Sequence, residues 1–172
     1  DDQRLYRFTT GPDGDANPVA ITPEPEVPHG MRFADGCETP DGEWIICVME
    51  DHYPSTVESN GGDAANAIVA IPADGSAASD PSAIRVLASG TDFVAAPRVS
   101  KDGGWLSWFT WNHPAMPWDG TELHAAPLFD DARVGNVQRV AGGARQAVHG
   151  SNWTNDGDLV FSTDENGWWN LA

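Results

Sequence analysis

Trp105-Leu-Ser-Trp-Phe-Thr-Trp-Asn-His-Pro-Ala-Met-Pro-Trp-Asp-Gly-Thr-Glu-Leu123 decides the fold of this chain. Its first seven residues read as a strand without a polar face. Trp105, Ser107, Phe109 and Trp111 point one way, and Leu106, Trp108 and Thr110 the other. Antiparallel strands usually keep one face wet and alternate polar with apolar residues. A strand apolar on both sides must be covered on both. A turn, Ser100-Lys-Asp-Gly103, precedes it and a Pro-rich loop follows. The same grammar recurs at Thr39-Pro-Asp-Gly42 before Trp44-Ile-Ile-Cys-Val-Met49, and at Thr154-Asn-Asp-Gly157 before Leu159-Val-Phe-Ser162. Repeated turn-plus-buried-strand units predict a radial repeat, each sheet stacked between two neighbours.

Working outward, each unit takes four strands. In the first, Met31 to Thr39, Glu43 to Glu50, Asn66 to Ile71 and Ala83 to Leu87 have strand character. In the second, the strands are Ala96 to Ser100, Trp105 to Trp111, Thr121 to Leu128 and Val137 to Val140. A last unit opens with His149 to Thr154 and Asp158 to Thr163, and a third strand starts at Trp168. Before the first unit, residues 4–9 and Pro18 to Thr22 form two strands around a Gly11-Pro-Asp-Gly14 turn. The organisation expected is therefore half a blade and a connection in 1–30, whole blades in 31–95 and 96–148, and the first part of another in 149–172. Asp41 and Asp102 are 61 residues apart and Asp102 and Asp156 are 54 apart. No stretch shows the i, i+3, i+4, i+7 apolar period of a helical repeat over three turns. The fold class is all-β, a partial β-propeller of about three four-stranded antiparallel blades. Closed propellers need about 4–8 blades, so the chain is expected to be a fragment of a larger ring. A small closed barrel or sandwich is disfavoured by the doubly apolar strands.

Composition narrows the function. The 172 residues carry a formal net charge of -17, with Lys101 the only lysine, and the acidic residues are scattered. That is a solvated surface. A nucleic-acid partner needs a basic stripe, which is absent. No apolar run reaches the ~18 residues of a membrane span, so no membrane is implied. The start, Asp1-Asp-Gln, lacks Met and reads as a cut, leaving the compartment unread, with a cytoplasmic setting as the default. Cys37 and Cys47 flank one turn and are expected to be free thiols rather than a disulfide. No zinc spacing occurs. Asp13-Gly-Asp15 hints at calcium without the further oxygen ligands, so no metal and no cofactor are expected.

Ser100-Lys-Asp102 begins like a sialidase Ser-x-Asp-x-Gly-x-x-Trp box, but the Trp position falls on Ser107, and the other turns do not begin that way. By contrast, Thr39-Pro-Asp-Gly-Glu-Trp-Ile45 and Ser100-Lys-Asp-Gly-Gly-Trp-Leu106 resemble the repeats of TolB-like propellers. Trp111-Asn-His-Pro-Ala-Met-Pro-Trp-Asp-Gly-Thr-Glu-Leu123 is more specific. It resembles a motif in the propeller of prolyl oligopeptidase-family serine peptidases, of the bacterial dipeptidyl aminopeptidase or acylaminoacyl-peptidase type. Val140-Ala-Gly-Gly143 and Asp164-Glu-Asn-Gly-Trp-Trp-Asn-Leu171 resemble that family too. Lys101 and Asn155 depart from its usual turn Pro, and the 51–65 loop matches it loosely. The resemblance implies a propeller that gates peptide access to an α/β-hydrolase domain of the same polypeptide. That domain would carry Ser, Asp and His, the Ser in a G-x-S-x-G elbow. No such elbow occurs here, so no catalytic residue is expected in this segment. The alternative is a stand-alone TolB-like binding scaffold.

In up-and-down blades, the loops 23–30, 51–65, 90–94 and 112–120 should share one face. Loops on a rigid scaffold are where binding residues concentrate. The residues expected to contact substrate or a neighbouring domain are Glu50, Asp51, His52, Asn112, His113, Met116, Trp118 and Asp119. Each has a plainer reading. Glu50-Asp51-His52 can be a strand-end charge cluster, although a carboxylate there could hold a peptide amine. His113 can pack in the Pro-rich loop, or pair with Asp119 or Glu122. Trp118 can anchor structure or stack on substrate. Trp168 and Trp169 are expected to fill the space between blades.

Overall fold

The computed structural model describes residues 2–10 and 17–172. The Gly11–Gly14 turn and the Asp13-Gly-Asp15 calcium hint lie outside the described residues. Two strands, β1 (Tyr6–Arg7) and β2 (Val19–Ala20), pair antiparallel. A four-stranded antiparallel sheet follows, in the order β3 (Met31–Glu38), β4 (Trp44–Asp51), β5 (Ala65–Pro72) and β6 (Arg85–Ser89). A second has β7 (Phe93–Val99), β8 (Trp105–Trp111), β9 (Glu122–Pro127) and β10 (Gln138–Gly142). The last described sheet has three strands, β11 (Val148–Trp153), β12 (Leu159–Thr163) and β13 (Asn170–Leu171). Each four-stranded sheet runs in chain order, as an up-and-down propeller blade does.

The recurring turns are locked by side chains. Thr39 Oγ1 donates to Asp41 Oδ1 at 2.6 Å and accepts the Trp44 N–H at 3.1 Å. Asp41 Oδ1 also accepts the Glu43 N–H at 3.0 Å. Ser100 and Asp102 repeat these bonds onto Trp105 and Gly104. The glycines at 42 and 103 take φ of 74° and 78°, which a side chain disfavours. Because Ser/Thr and Asp make the bonds, Lys101 can stand in the usual Pro position without loss. The Asn155 turn is one residue shorter, with Thr154 Oγ1 accepting the Asp158 N–H at 3.0 Å.

The doubly apolar strand is covered on both sides. Leu106 and Trp108 join Val94, Ala126 and Leu128 against Ile46, Val48, Ile68, Ala70 and Leu87 of the preceding sheet. On the other side of β8, Phe109 packs with Leu123 against Val148, Leu159 and Phe161 of the β11–β13 sheet. Ser107 is fully buried within the same strand. Further along the stack, Cys47, Val69 and Ile71 face Leu5, Ala77 and Ile84. Both cysteines are free, with Cys47 buried. Burial pushes the Cys47 thiol up to about 12.

Several local features differ from the sequence reading. β7 starts at Phe93, so Phe93 and Val94 are strand rather than loop. A bulge between Ala95 and Arg98 interrupts the alternation there, with Ala96 at φ 49°. β3 bulges likewise at Asp35, φ 52°, and the Asp35 carboxylate ties the two sheets together. It accepts the Ala96 N–H at 2.6 Å and Arg98 Nη1 at 3.2 Å. The 51–65 loop contains a short helix, α1 (Pro54–Ser59). Trp168 and Trp169 are exposed, 80% and 52%, instead of filling an interior. Among the described residues, no further sheet lies against them.

Candidate functional site

Hydrogen bonds bring the loops 23–30, 51–65, 90–94 and 112–120 together on one face, which is where their topology predicts them. The His52 N–H donates to Gly30 O at 2.8 Å, and Tyr53 Oη accepts the Glu26 N–H at 3.1 Å. Asp92 joins the rest. Its backbone carbonyl accepts Asn66 Nδ2 at 2.7 Å, and its N–H donates to Asn112 Oδ1 at 2.8 Å. Its carboxylate accepts the His113 N–H at 2.7 Å. Aromatic contacts fix the same corner. Phe93 stacks on Trp111 with ring centroids 5.1 Å apart, and His113 meets Phe93 edge-on at 4.9 Å. The His113–Pro114 peptide bond is cis.

The sequence candidates divide into three groups. Glu50, Asp51 and His52 are occupied locally: Glu50 Oε2 pairs with His52 Nε2 at 2.8 Å. Asp51 accepts the Tyr53 N–H at 2.9 Å and the Thr56 hydroxyl at 3.0 Å, which secures the entry to α1. The plainer reading of this cluster accounts for its bonds. Asn112, His113 and Asp119 instead line a cleft of about 590 Å³. The partner of His113 is Asp63, with Nε2 3.6 Å from Oδ2, rather than Asp119 or Glu122. Asp119 turns back into its own loop and accepts the Met116 N–H at 3.0 Å. Met116 and Trp118 are exposed, and Trp118 borders a separate shallow hollow with Pro117, His149 and Trp169.

Three residues of this region escaped the sequence reading. His124 lies opposite Trp108 in the β8–β9 register and stacks on it at 5.7 Å. Its Nε2 is 2.9 Å from Thr110 Oγ1 and 3.5 Å from Glu122 Oε2. Burial holds its pKa below the ordinary histidine value, against the pull of Glu122. Asp92 and Asp63, on neighbouring loops, were unreadable because only the blade-to-blade packing brings them to His113. A backbone approach closes the cleft: Gly143 N–H donates to Thr121 O at 3.1 Å, and a Cβ on Gly142 or Gly120 would collide with backbone.

The described residues hold no cluster of three or more His, Cys, Asp or Glu able to bind a metal ion. No helix among them is long and apolar enough to cross a membrane.

The fold is a partial β-propeller, and TolB proteins share it. The TolB of Acinetobacter baumannii is 18% identical over 99% of this chain and 35% of its own, with a TM-score of 0.57. That likeness concerns the fold alone. No family model and no curated protein matches the chain. Solved structures give the particular relationship. A Mycobacterium tuberculosis puromycin-hydrolyzing peptidase is 42% identical over 99% of this chain, with a TM-score of 0.86. A puromycin hydrolase is 40% identical over 99%, with a TM-score of 0.85, and a mutant of it has been solved complexed with PGG. The chain is homologous to the propeller portion of these prolyl oligopeptidase-type peptidases. It spans about a quarter of their length, 25% in each case.

Proposed function

We propose that this chain is propeller from a prolyl oligopeptidase-type serine peptidase, and that it gates peptide access to an α/β-hydrolase domain elsewhere in the polypeptide. The observation that supports this most is 40–42% identity over 99% of the chain to puromycin-hydrolysing peptidases. At that identity the likeness extends beyond the fold. A stand-alone TolB-like scaffold has only fold-level likeness behind it, at 18–20% identity.

The division of labour follows from chemistry. Acyl transfer needs a nucleophile, a base and donors for the oxyanion. This sequence has no G-x-S-x-G elbow to present the nucleophile. Rigid sheets stacked through apolar faces can hold loops still at the mouth of a site, and such loops exclude folded proteins while admitting short peptides. The face carrying 51–65 and 112–120 is the one we assign to the hydrolase domain and substrate.

The test is an assay of the intact protein on puromycin and on chromogenic peptides with free and blocked N-termini. Each is run with and without a serine-directed phosphonate. Phosphonate-sensitive release is the expected result, and the two peptide series separate aminopeptidase from acylaminoacyl-peptidase action. No hydrolysis of any of these substrates would overturn the reading.

A further inference from the structure

The cleft beneath the 112–120 loop has an aromatic wall that does not need to move. Trp111 and Phe93 stack with only 13° between their planes, and His113 abuts the Phe93 edge. Gly143 and Ala144, which also line the cleft, present nothing larger than a methyl group. Thr110 and His124 form the floor and are bonded to each other.

The carboxylates around the cleft are already engaged. Asp92 takes the His113 N–H, Asp119 takes the Met116 N–H, and Glu122 Oε1 accepts Arg139 Nη1 at 3.0 Å. His124, held towards its neutral form by burial, adds no charge to the floor. Each of Asp92, Asp119 and Glu122 thus has a hydrogen-bond partner within the protein, and of the three Glu122 is the one paired with a formal cation, Arg139. What the cleft offers is uncovered aromatic and aliphatic surface, preorganised because its rings are fixed by one another. Its volume leaves room for an aromatic ring system.

We propose that this cleft binds an aromatic side chain of a peptide ligand against the Trp111–His113 wall. The peptide part rests on the peptidase reading; the aromatic part rests on the cleft alone.

The test uses the intact protein, with any hydrolytic serine blocked by phosphonate. Saturation-transfer NMR measures the binding of N-acetyl-tryptophanamide and N-acetyl-leucinamide. The tryptophan amide should bind roughly fivefold more tightly, with transfer concentrated on the indole ring. Ala144→Trp places a ring in the cleft from an exposed position and should remove that advantage while its melting transition stays cooperative. If that variant does not fold, Ala115→Arg blocks the cleft from the other loop. Equal binding of the two amides, no detectable binding, or an advantage that survives in a folded blocking variant would each overturn the proposal. A protein that binds the tryptophan amide but cleaves no peptide keeps the cleft and loses the peptidase reading. One that cleaves peptides without this binding does the reverse.

Discussion

Leu106→Ala and Phe109→Ala together test whether β8 is buried on both sides. Leu106 is 0% exposed and Phe109 4%, and they point to opposite faces of the same strand. Leu106 packs towards the β3–β6 sheet and Phe109 towards the β11–β13 sheet. Truncating a buried Leu costs about 2–5 kcal/mol and a buried Phe about 3–5 kcal/mol, depending on how far the site can collapse. Here collapse is restricted, because each sheet is held by its own hydrogen-bond ladder. We therefore expect the upper half of the range for Leu106, about 3.5–5 kcal/mol, and a similar loss for Phe109. Val86, exposed on the edge strand β6, is the control, and Val86→Ala should cost under about 0.5 kcal/mol. Urea unfolding of the intact protein, followed by tryptophan fluorescence, gives the midpoint shifts at constant slope. A strand with one wet face would leave one of the two variants near the control. A loss below about 1 kcal/mol for either would refute the stacked-sheet reasoning.

Ser100→Ala removes the hydroxyl that donates to Asp102 and accepts the Trp105 N–H, and should cost about 1 kcal/mol in the same unfolding assay. The Ser100 hydroxyl, then the Gly104 N–H, hold the Asp102 carboxyl below its ordinary 3.8. A depressed carboxylate contributes stability above its unfolded pKa and loses it as pH falls through the folded one. By NMR titration, Asp102 should therefore move up towards 3.8 in Ser100→Ala. Cys47, buried with its pKa near 12, should resist iodoacetamide at pH 8 in the native protein and react on unfolding, read by mass spectrometry. Asp92→Ala frees the His113 amide, and hydrogen exchange across 112–120 should quicken while β8 keeps its protection.

The repeat and the fold class were readable because they are local. A Ser/Thr-x-Asp-Gly turn makes its bonds within six residues, and a run with large apolar residues on both faces, such as Trp105–Trp111, reads as a strand covered twice. The bulges were not readable: Asp35 and Ala96 adopt positive φ, and the sequence signals neither. The cleft was half legible. Asn112, His113 and Asp119 stood out in a distinctive loop, and the shared face followed from strand order. His113 found Asp63 instead of its sequence neighbours because blade-to-blade packing, at long sequence separation, sets which loops touch. His124 falls within the strand expected over Thr121 to Leu128 and carries no signal of its own; the register sets it over Trp108 and beside Thr110. Local bonding and patterning, written in the chain, determined the sheets. Which loops met, and which side chains came to line the cleft, was decided only when the sheets stacked.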